Sequence, residues 1–203
     1  MTKIEYENLK KFPEIEHGSF TAVGLWVFPK QVHGDAIVRI ETGQEQVVAD
    51  GLFTTVKGIM LGVRHADCQG MLFYDPVVQV VAVAHVGWRG NVANLPGKMV
   101  ARLKSELGCK ASDLQVAISP SLGPRCAEFV NYRTEWPERF WPFQVKPMYF
   151  DLWAISRAQL GAEGVLAEHI ECAEVCTHCS PEWFSYRRDK ATGRSGSAIA
   201  LKP

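Results

Sequence analysis

The stretch VVAVAHVGWRG, residues 80–90, determines how the rest of the chain is interpreted. Its first half is an unbroken apolar run rich in valine, which predicts a buried β-strand ending at His85. In the loop that follows, glycine lets a ligand approach the backbone, and Arg89 offers a planar set of donors suited to phosphate or carboxylate. The stretch therefore predicts either a binding site at the end of a core strand or a core histidine followed by an ordinary loop.

Composition excludes several classes of protein. The chain has 203 residues, of which 47% are hydrophobic, and its 22 Lys and Arg balance its 22 Asp and Glu. These values favour one globular domain over residues 1–203 and give no indication of a nucleic-acid or membrane partner. The charged N-terminus has no apolar segment typical of a secretion signal, so a cytoplasmic protein is expected. Oligomeric state is left open.

The pattern of apolar residues predicts more strands than helices. Strands are expected at 19–27, 36–40, 52–56, 59–63, 71–74, 80–85, 114–118, 170–175 and 197–201. Helices are expected at 95–107, capped by Asn94, and from Asp151 to about residue 161, with a lightly packed arm at 1–15 and an irregular segment at 134–148. Strands and helices do not alternate regularly, and no G-x-G-x-x-G motif follows a strand. An α+β sandwich of mixed sheets with flanking helices is therefore predicted.

Three possible metal ligands each follow an apolar run. His33, Cys68 and His85 lie beside small or turn-forming residues, so they are expected to meet at one edge of a sheet. Two imidazoles and a thiolate are suitable zinc ligands, and a catalytic zinc site keeps three protein ligands and one open position. Their spacing alone is not diagnostic, because the ligands come from different strands.

Eight motifs occur in a specific order from about residue 31 to the C-terminus. They are QVHG at 31–34, ADG at 49–51, ADC at 66–68, HVGWRG at 85–90, LGP at 122–124, CT at 176–177, FSYRRD at 184–189 and TGR at 192–194. This order resembles that of the YfiH family, also called the laccase-domain or polyphenol oxidoreductase family. The resemblance implies an α+β sandwich that holds zinc, or alternatively copper, at His33, Cys68 and His85. It also implies phosphorolysis of adenosine, inosine and related nucleosides, together with adenosine deamination.

Two features qualify the resemblance. The family motifs Ser-x-Arg-x-Gly-Gly and Ser-Leu-Asn-Leu, which help to line its pocket, are absent from the first 30 residues, so the nucleoside is left open. A multicopper oxidase also needs His-x-His pairs to build its copper cluster, and the six histidines here form no such pair. Laccase activity is therefore not expected.

Several side chains are candidates for catalysis or substrate binding. Cys68, Asp67 and Arg89 are the catalytic candidates: Asp67 as general base or ligand-orienting group, and Arg89 as a contact for phosphate or ribose. The ordinary alternatives are an aspartate that bonds the backbone of its turn and an arginine in a surface salt bridge. Substrate contacts are expected from four residues: Asp50, Arg89, Cys126 and Arg188.

Some assignments remain open between alternatives. Only one of Arg187 and Arg188 is expected to reach the pocket, because neighbours on an extended segment face opposite ways. His65 is interpreted as a solvent-facing residue, with a fourth metal ligand or a proton carrier as alternatives. Three further cysteines, spaced C-x3-C-x2-C, are interpreted as separate thiols, with an iron-sulfur cluster or a zinc site including His178 as alternatives; they are Cys172, Cys176 and Cys179.

Three functions compete on these grounds. The first is a zinc enzyme that acts on purine nucleosides, with a nucleoside and phosphate as its partners. The second is a metal-independent hydrolase or deamidase with Cys68 as nucleophile and His85 as base, by analogy with cytotoxic necrotizing factor, whose fold the family resembles. The third is a non-catalytic metal-binding protein.

Overall fold

The computed structural model describes residues 2–20 and 27–203. Its strands are β1 Lys3–Ile4, β2 Ile15–Phe20, β3 Ile37–Arg39, β4 Gly51–Thr54, β5 Leu61–His65, β6 Gln69–Asp75, β7 Val80–Val86, β8 Gln115–Ile118, β9 Gln144–Lys146, β10 Tyr149–Phe150, β11 Ile170–Cys172 and β12 Ser195–Leu201. Its α-helices are α1 Glu7–Lys10, α2 Trp88–Val92, α3 Leu95–Leu107, α4 Tyr132–Glu135 and α5 Leu152–Ala162, with 3-10 turns at Glu138–Phe143 and Ala167–His169.

One antiparallel sheet and one mixed sheet form the body of the described chain. The smaller has the order β1-β2-β12-β5, and the larger has the order β11-β8-β6-β7-β4-β3. Pairing is antiparallel except between β3 and β4 and between β11 and β8, which are parallel. The predicted α+β sandwich of mixed sheets is confirmed. Strand β7 lies inside the larger sheet, between β6 and β4, and all of its residues are buried.

Alternating side chains of β6 and β7 build two apolar layers. Leu72 and Val83 pack with residues of β5 and β12, so this layer lies between the two sheets. Met71 and Ala84 point the other way and pack with buried side chains of α3. Side chains of neighbouring strand residues face opposite sides of a sheet, which explains how one strand serves both layers. The result is two sheets with helices on the outer face of the larger one.

Helices α3 and α5 begin and end near the predicted residues. The helix predicted at 95–107 is α3, and Gly108, at φ 72°, follows its last residue. Asp151 caps α5 by accepting a hydrogen bond from the Ala154 N–H at 2.9 Å. Asn94 occupies the N-cap position of α3 as predicted, and its carbonyl accepts from the Lys98 N–H at 2.9 Å, but its side chain makes no capping bond and its backbone is left-handed at φ 58°.

The N-terminal segment differs from the prediction. Residues 1–15 were expected to be lightly packed, but Tyr6 and Leu9 are fully buried in the layer between the sheets. The Asn8 side-chain amide also donates to the Val116 and His169 carbonyls at 2.9 and 3.0 Å. Most of the strand predicted at 19–27 falls on residues 21–26, which lie outside the described residues, and β2 ends at Phe20.

The segment predicted to be irregular carries an aromatic cluster. Trp136 stacks on Phe150 with ring centroids 4.9 Å apart, and Phe129 meets Trp136 edge-on at 5.3 Å. Trp88, from the GWRG loop, packs against the same cluster at 6.0 Å from Trp136. The segment is thus a packed cap beside the loop that follows β7. Across residues 2–20 and 27–203, no helix has the length and apolarity needed to cross a membrane.

Candidate active site

The structure brings together the three predicted metal ligands. His33 lies in the loop before β3, Cys68 lies immediately before β6, and His85 lies on β7. One ligand atom from each residue lies within 4.8 Å of the other two. His85 is buried, Cys68 is half-buried and His33 is exposed, so the group opens toward solvent on one side.

Strand pairing explains why Cys68 reaches His85. Strand β5 belongs to the smaller sheet and β6 to the larger, so the turn at residues 66–68 crosses from one sheet to the other. Asp67 in this turn has a φ of 81°, an unusual value for a residue other than glycine. Gly70 pairs with His85 in the antiparallel ladder, which places Cys68 near the end of β7.

Gly87 leaves the space that the three ligands share. A Cβ atom at this position would lie 2.9 Å from the Cys68 Sγ atom and 3.4 Å from the His33 Cδ2 atom. Real Cβ atoms essentially never approach a sulfur at 2.9 Å, so any other residue would force the ligands apart. The glycine is needed here for close approach of side chains, and its backbone is extended. Two imidazoles, one sulfur and open space beside them suit zinc or copper.

Asp50 lies behind the ligands, with no exposed surface. Its Oδ1 atom accepts from the His85 Nδ1 atom at 2.9 Å and the His33 N–H at 3.0 Å, and its Oδ2 atom accepts from the Val32 and Gly34 N–H groups at 3.1 and 2.7 Å. Burial would raise the pKa of Asp50, but His85 and these N–H groups lower it. Asp50 was predicted to contact substrate, but in this structure it is buried and outside the cleft lining, where it orients the His85 ring and the backbone of the loop that carries His33.

The thiol of Cys68 and the imidazole of His85 shift one another's pKa toward the charged forms. Burial opposes ionisation of the Cys68 thiol, but the charge of His85 and hydrogen bonds from His33 and His85 lower its pKa to about 6. Burial also opposes protonation of His85, but the Cys68 thiolate and then Asp50 raise the pKa of the imidazole to about 9. The sulfur is thus already in the form that binds metals or attacks electrophiles near neutral pH.

Asp67 holds the turn that carries Cys68. Its Oδ1 atom accepts from the Thr177 hydroxyl at 2.7 Å, and its Oδ2 atom accepts from the Arg187 N–H at 2.7 Å. Its carbonyl accepts from the Leu122 N–H at 2.9 Å. Asp67 is also one of the residues that line the cleft described next.

A cleft with a volume of about 1130 Å³ opens over the three ligands. Its lining contains two acidic residues, Asp67 and Glu128. It also contains six cationic residues: Lys30, Arg64, Arg89, Arg187, Lys190 and Arg194. Among the described residues, none of these six cations lies within 4.0 Å of a carboxylate. The chain as a whole has no net charge, but this cleft has an excess of cationic side chains over carboxylates. The cleft is therefore locally positive and attracts anions.

The predicted arginine contacts are partly changed. Arg89 lines the cleft, and its guanidinium lies 5.1 Å from the centre of the Trp88 ring instead of in a salt bridge. Arg188 does not line it, because its guanidinium donates to four backbone carbonyls: those of Thr177, His178, Ser180 and Trp183. Arg187 is the residue of this pair that lines the cleft.

Two other predicted positions also change. Cys126 is not among the lining residues, and its Sγ atom lies 3.4 Å from that of Cys179. His65 is buried where an exposed side chain was predicted, and its Nε2 atom lies 2.8 Å from the Ser197 hydroxyl. Burial, and then the charge of His85, lower the pKa of His65 to about 3, so this imidazole is neutral.

Several cationic residues were missed by sequence reasoning. Arg187 and Arg194 lie in the FSYRRD and TGR motifs, so the motifs carried a signal for them. Lys30 and Arg64 belong to no motif, and only their position in the folded chain shows that they face the cleft.

Comparison with known proteins identifies the family of the chain and agrees with this fold. The family model described as multi-copper polyphenol oxidoreductase laccase matches residues 11–202. The purine nucleoside phosphorylase YlmD of Bacillus subtilis is 32% identical over 203 residues, covering 90% of this chain and 73% of that protein. The crystal structure of YlmD from Geobacillus stearothermophilus superposes with a TM-score of 0.78 at 32% identity, covering 88% of this chain and 74% of that one.

A second solved structure, of the hypothetical protein YfiH from Bacillus licheniformis, gives a TM-score of 0.79 at 30% identity and covers 87% of this chain and 74% of its own. The purine nucleoside phosphorylase LACC1 of Homo sapiens is 30% identical over 150 residues, covering 69% of this chain and 35% of that protein. The chain therefore belongs to the YfiH or laccase-domain family, whose model is that of the multi-copper polyphenol oxidoreductase laccases.

Proposed function

We propose that this protein is a metal-dependent purine nucleoside phosphorylase, with zinc held by His33, Cys68 and His85. The observation that carries the proposal is the position of these three side chains in a cleft with six cations that lack carboxylate partners. Relatives that share about a third of its residues are named purine nucleoside phosphorylases. Copper in place of zinc is the alternative that metal analysis would reveal.

The substrates of phosphorolysis match the chemistry of the cleft. Phosphate is a dianion near neutral pH, and arginine binds it through paired donors, so Arg89 and Arg187 are assigned to it. A purine ring presents flat faces, and Trp88, Phe129 and Tyr186 supply aromatic faces along the same lining. A nucleoside and a phosphate therefore both find complementary groups in one cleft.

The reaction places different demands on each group. A phosphate oxygen forms a bond to C1′ of the ribose while the bond from C1′ to the purine nitrogen breaks, and the departing base takes up a proton. We assign Asp67 to hold or transfer that proton, because it borders both the cleft and Cys68. Arg89 and Arg187 orient the phosphate and balance its charge. A zinc ion bound by the three ligands would supply Lewis-acid chemistry to the cleft.

The test is metal analysis of the purified protein followed by nucleoside assays. Inosine and adenosine are incubated with and without phosphate, before and after chelation, and products are separated by chromatography. About one zinc per chain and phosphate-dependent release of the base, lost on chelation and restored by zinc, are expected. Conversion of adenosine to inosine without phosphate would identify deamination at the same site. Metal-loaded protein that turns over no nucleoside would contradict the proposal.

A metal-independent enzyme is the second candidate, and the ion pair between Cys68 and His85 favours it. A thiolate with a pKa of about 6 beside an imidazolium is the arrangement of a cysteine nucleophile and its partner. Activity that survives chelation but is abolished by alkylation of Cys68 would favour this candidate.

A single domain, a cytoplasmic location and the absence of nucleic-acid partners remain predictions.

A further inference from the structure

A second group of sulfur atoms, on two neighbouring loops, lies outside the cleft lining. Cys126 follows the turn that starts at Gly123, and Cys176 and Cys179 lie on the loop after β11. The three Sγ atoms lie within 4.8 Å of one another, and those of Cys126 and Cys179 are 3.4 Å apart. Sulfurs bound to one tetrahedral zinc lie about 3.8 Å apart, given Zn–S bonds of about 2.3 Å. The distances between these sulfurs, from 3.4 Å to at most 4.8 Å, bracket this value, so small shifts of the side chains would let all three contact a single ion.

The spacing of cysteines along the sequence did not predict this group. Cys172 was considered together with Cys176 and Cys179, but it lies on β11 and does not belong to the group that the structure describes. Cys126 takes its place from a loop 50 residues earlier in the chain. Cys176 and Cys179 keep the C-x2-C spacing that is common in zinc sites.

Backbone hydrogen bonds hold the two loops side by side. Ser121 pairs with Cys176 in an isolated parallel bridge, in which the Ser121 N–H donates to the Val175 carbonyl at 3.1 Å and the Thr177 N–H donates to the Ser121 carbonyl at 3.0 Å. The guanidinium of Arg188 ties down the same loop through its four bonds to carbonyl oxygens. The sulfurs are thus brought together by the backbone, independently of any contact between them.

A backbone N–H group holds the Cys176 sulfur in place. This Sγ atom accepts a hydrogen bond from the Gly123 N–H at 3.2 Å. The sulfur is therefore fixed close to those of Cys126 and Cys179.

We propose that Cys126, Cys176 and Cys179 bind a thiophilic metal ion, Zn²⁺, at a second site distinct from His33, Cys68 and His85. Thiolate sulfur is the ligand type that selects zinc and other soft ions over calcium or magnesium. Cys179 is exposed, so the ion has access from solvent. Thr177, between the ligands, donates to Asp67 at 2.7 Å, so the second site fixes the loop that supports the Cys68 turn.

The test uses Co²⁺ as a spectroscopic substitute for Zn²⁺ in a Cys68→Ala chain. This substitution removes the sulfur of the first site, so sulfur-to-cobalt charge-transfer absorption reports the second site alone. The fully reduced protein is expected to gain this absorption up to one Co²⁺ per chain and to lose it when Zn²⁺ is added. Adding Cys126→Ser or Cys179→Ser is expected to lower it by about a third or more, because one of three thiolates is removed, and to weaken binding at least about tenfold.

Cys109→Ala and Cys172→Ala are the matched controls, since these cysteines lie outside the group and their loss should leave the spectrum unchanged. Absence of charge-transfer absorption in reduced, folded Cys68→Ala protein would overturn the proposal, as would absorption and affinity for Co²⁺ that neither serine substitution diminishes. A disulfide between Cys126 and Cys179 that persists under reducing conditions would also overturn it. Nucleoside turnover does not enter this test, so failure of the second site is distinguishable from failure of the proposed function.

Discussion

Replacing Asp50 by asparagine tests whether a buried carboxylate positions the metal ligands. Each carboxylate oxygen accepts two hydrogen bonds: Oδ1 from His85 and His33, and Oδ2 from Val32 and Gly34. Asparagine has the same shape but only one acceptor oxygen, so two of the four bonds are lost and an N–H₂ group faces two donors. A hydrogen bond to a charged group contributes about 1.5–3 kcal/mol, so the total loss is about 3–6 kcal/mol.

This loss divides between metal affinity and folding. Removing a group behind a metal ligand typically weakens binding by about 10- to 100-fold, which is about 1.4–2.8 kcal/mol. The remainder is expected to appear as a lower free energy of unfolding of the metal-free protein. Zinc affinity is measured by competition with a chromogenic chelator, and unfolding is measured by urea titration in the presence of a metal chelator.

Asp35→Asn is the matched control for Asp50→Asn. The Asp35 carboxylate is about half exposed and pairs with Lys98 at the surface, so its loss should cost less than about 1 kcal/mol and leave zinc affinity unchanged. Asp50→Asn protein that binds zinc within about twofold of wild type, with an unaltered free energy of unfolding, would refute the role assigned to this carboxylate.

Four further predictions follow from the core, the ion pair and the arginines. Leu72→Ala should lower the free energy of unfolding in urea by about 2–5 kcal/mol, because this side chain is fully buried between the sheets; a loss well below that range would contradict the packing. In metal-free protein, the ultraviolet absorbance of the Cys68 thiolate should appear with a midpoint near pH 6, and His85→Asn should move that midpoint upward; an unchanged midpoint would exclude the ion pair. Arg89→Met should raise KM for phosphate about 10- to 100-fold with a smaller effect on KM for the nucleoside, as measured by initial rates; equal effects on both would contradict a phosphate contact. Arg188→Met should increase hydrogen exchange of the loop it binds and leave KM for the nucleoside unchanged; a change in KM alone would place this residue at the substrate.

The spacing of apolar residues and the turn-forming residues predicted those helices and strands whose bounds depend on neighbouring residues in the sequence. Helix α3 was predicted with its observed bounds, because apolar residues recur at helical spacing and Gly108 ends the run. The packing of Tyr6 and Leu9 was missed, because their burial depends on strands from distant parts of the chain. No periodic pattern within the first 15 residues indicates such contacts.

In the site, too, some features were predicted from local sequence and others depend on contacts between distant residues. His33, Cys68 and His85 were selected because each ends an apolar run beside small residues, and the structure brings them together. The position of Asp50 was not predictable, because its partners lie 16 to 35 residues away along the chain. The prediction that at most one of Arg187 and Arg188 reaches the cleft assumed an extended segment, whereas these residues lie in a turn closed by a hydrogen bond from the Asp189 N–H to the Ser185 carbonyl. The choice of Arg187 depends on the geometry of that turn.

The order in which the ligands meet follows from the two-sheet topology. Cys68 and His85 are joined by the hairpin of β6 and β7, whereas His33 reaches them only once β4 has paired with β7 and β3 with β4. Contacts between distant segments form more slowly, because closing a longer loop costs more chain entropy. We therefore expect a folding chain to offer an incoming ion two ligands early and the third only when β3 and β4 have joined β7.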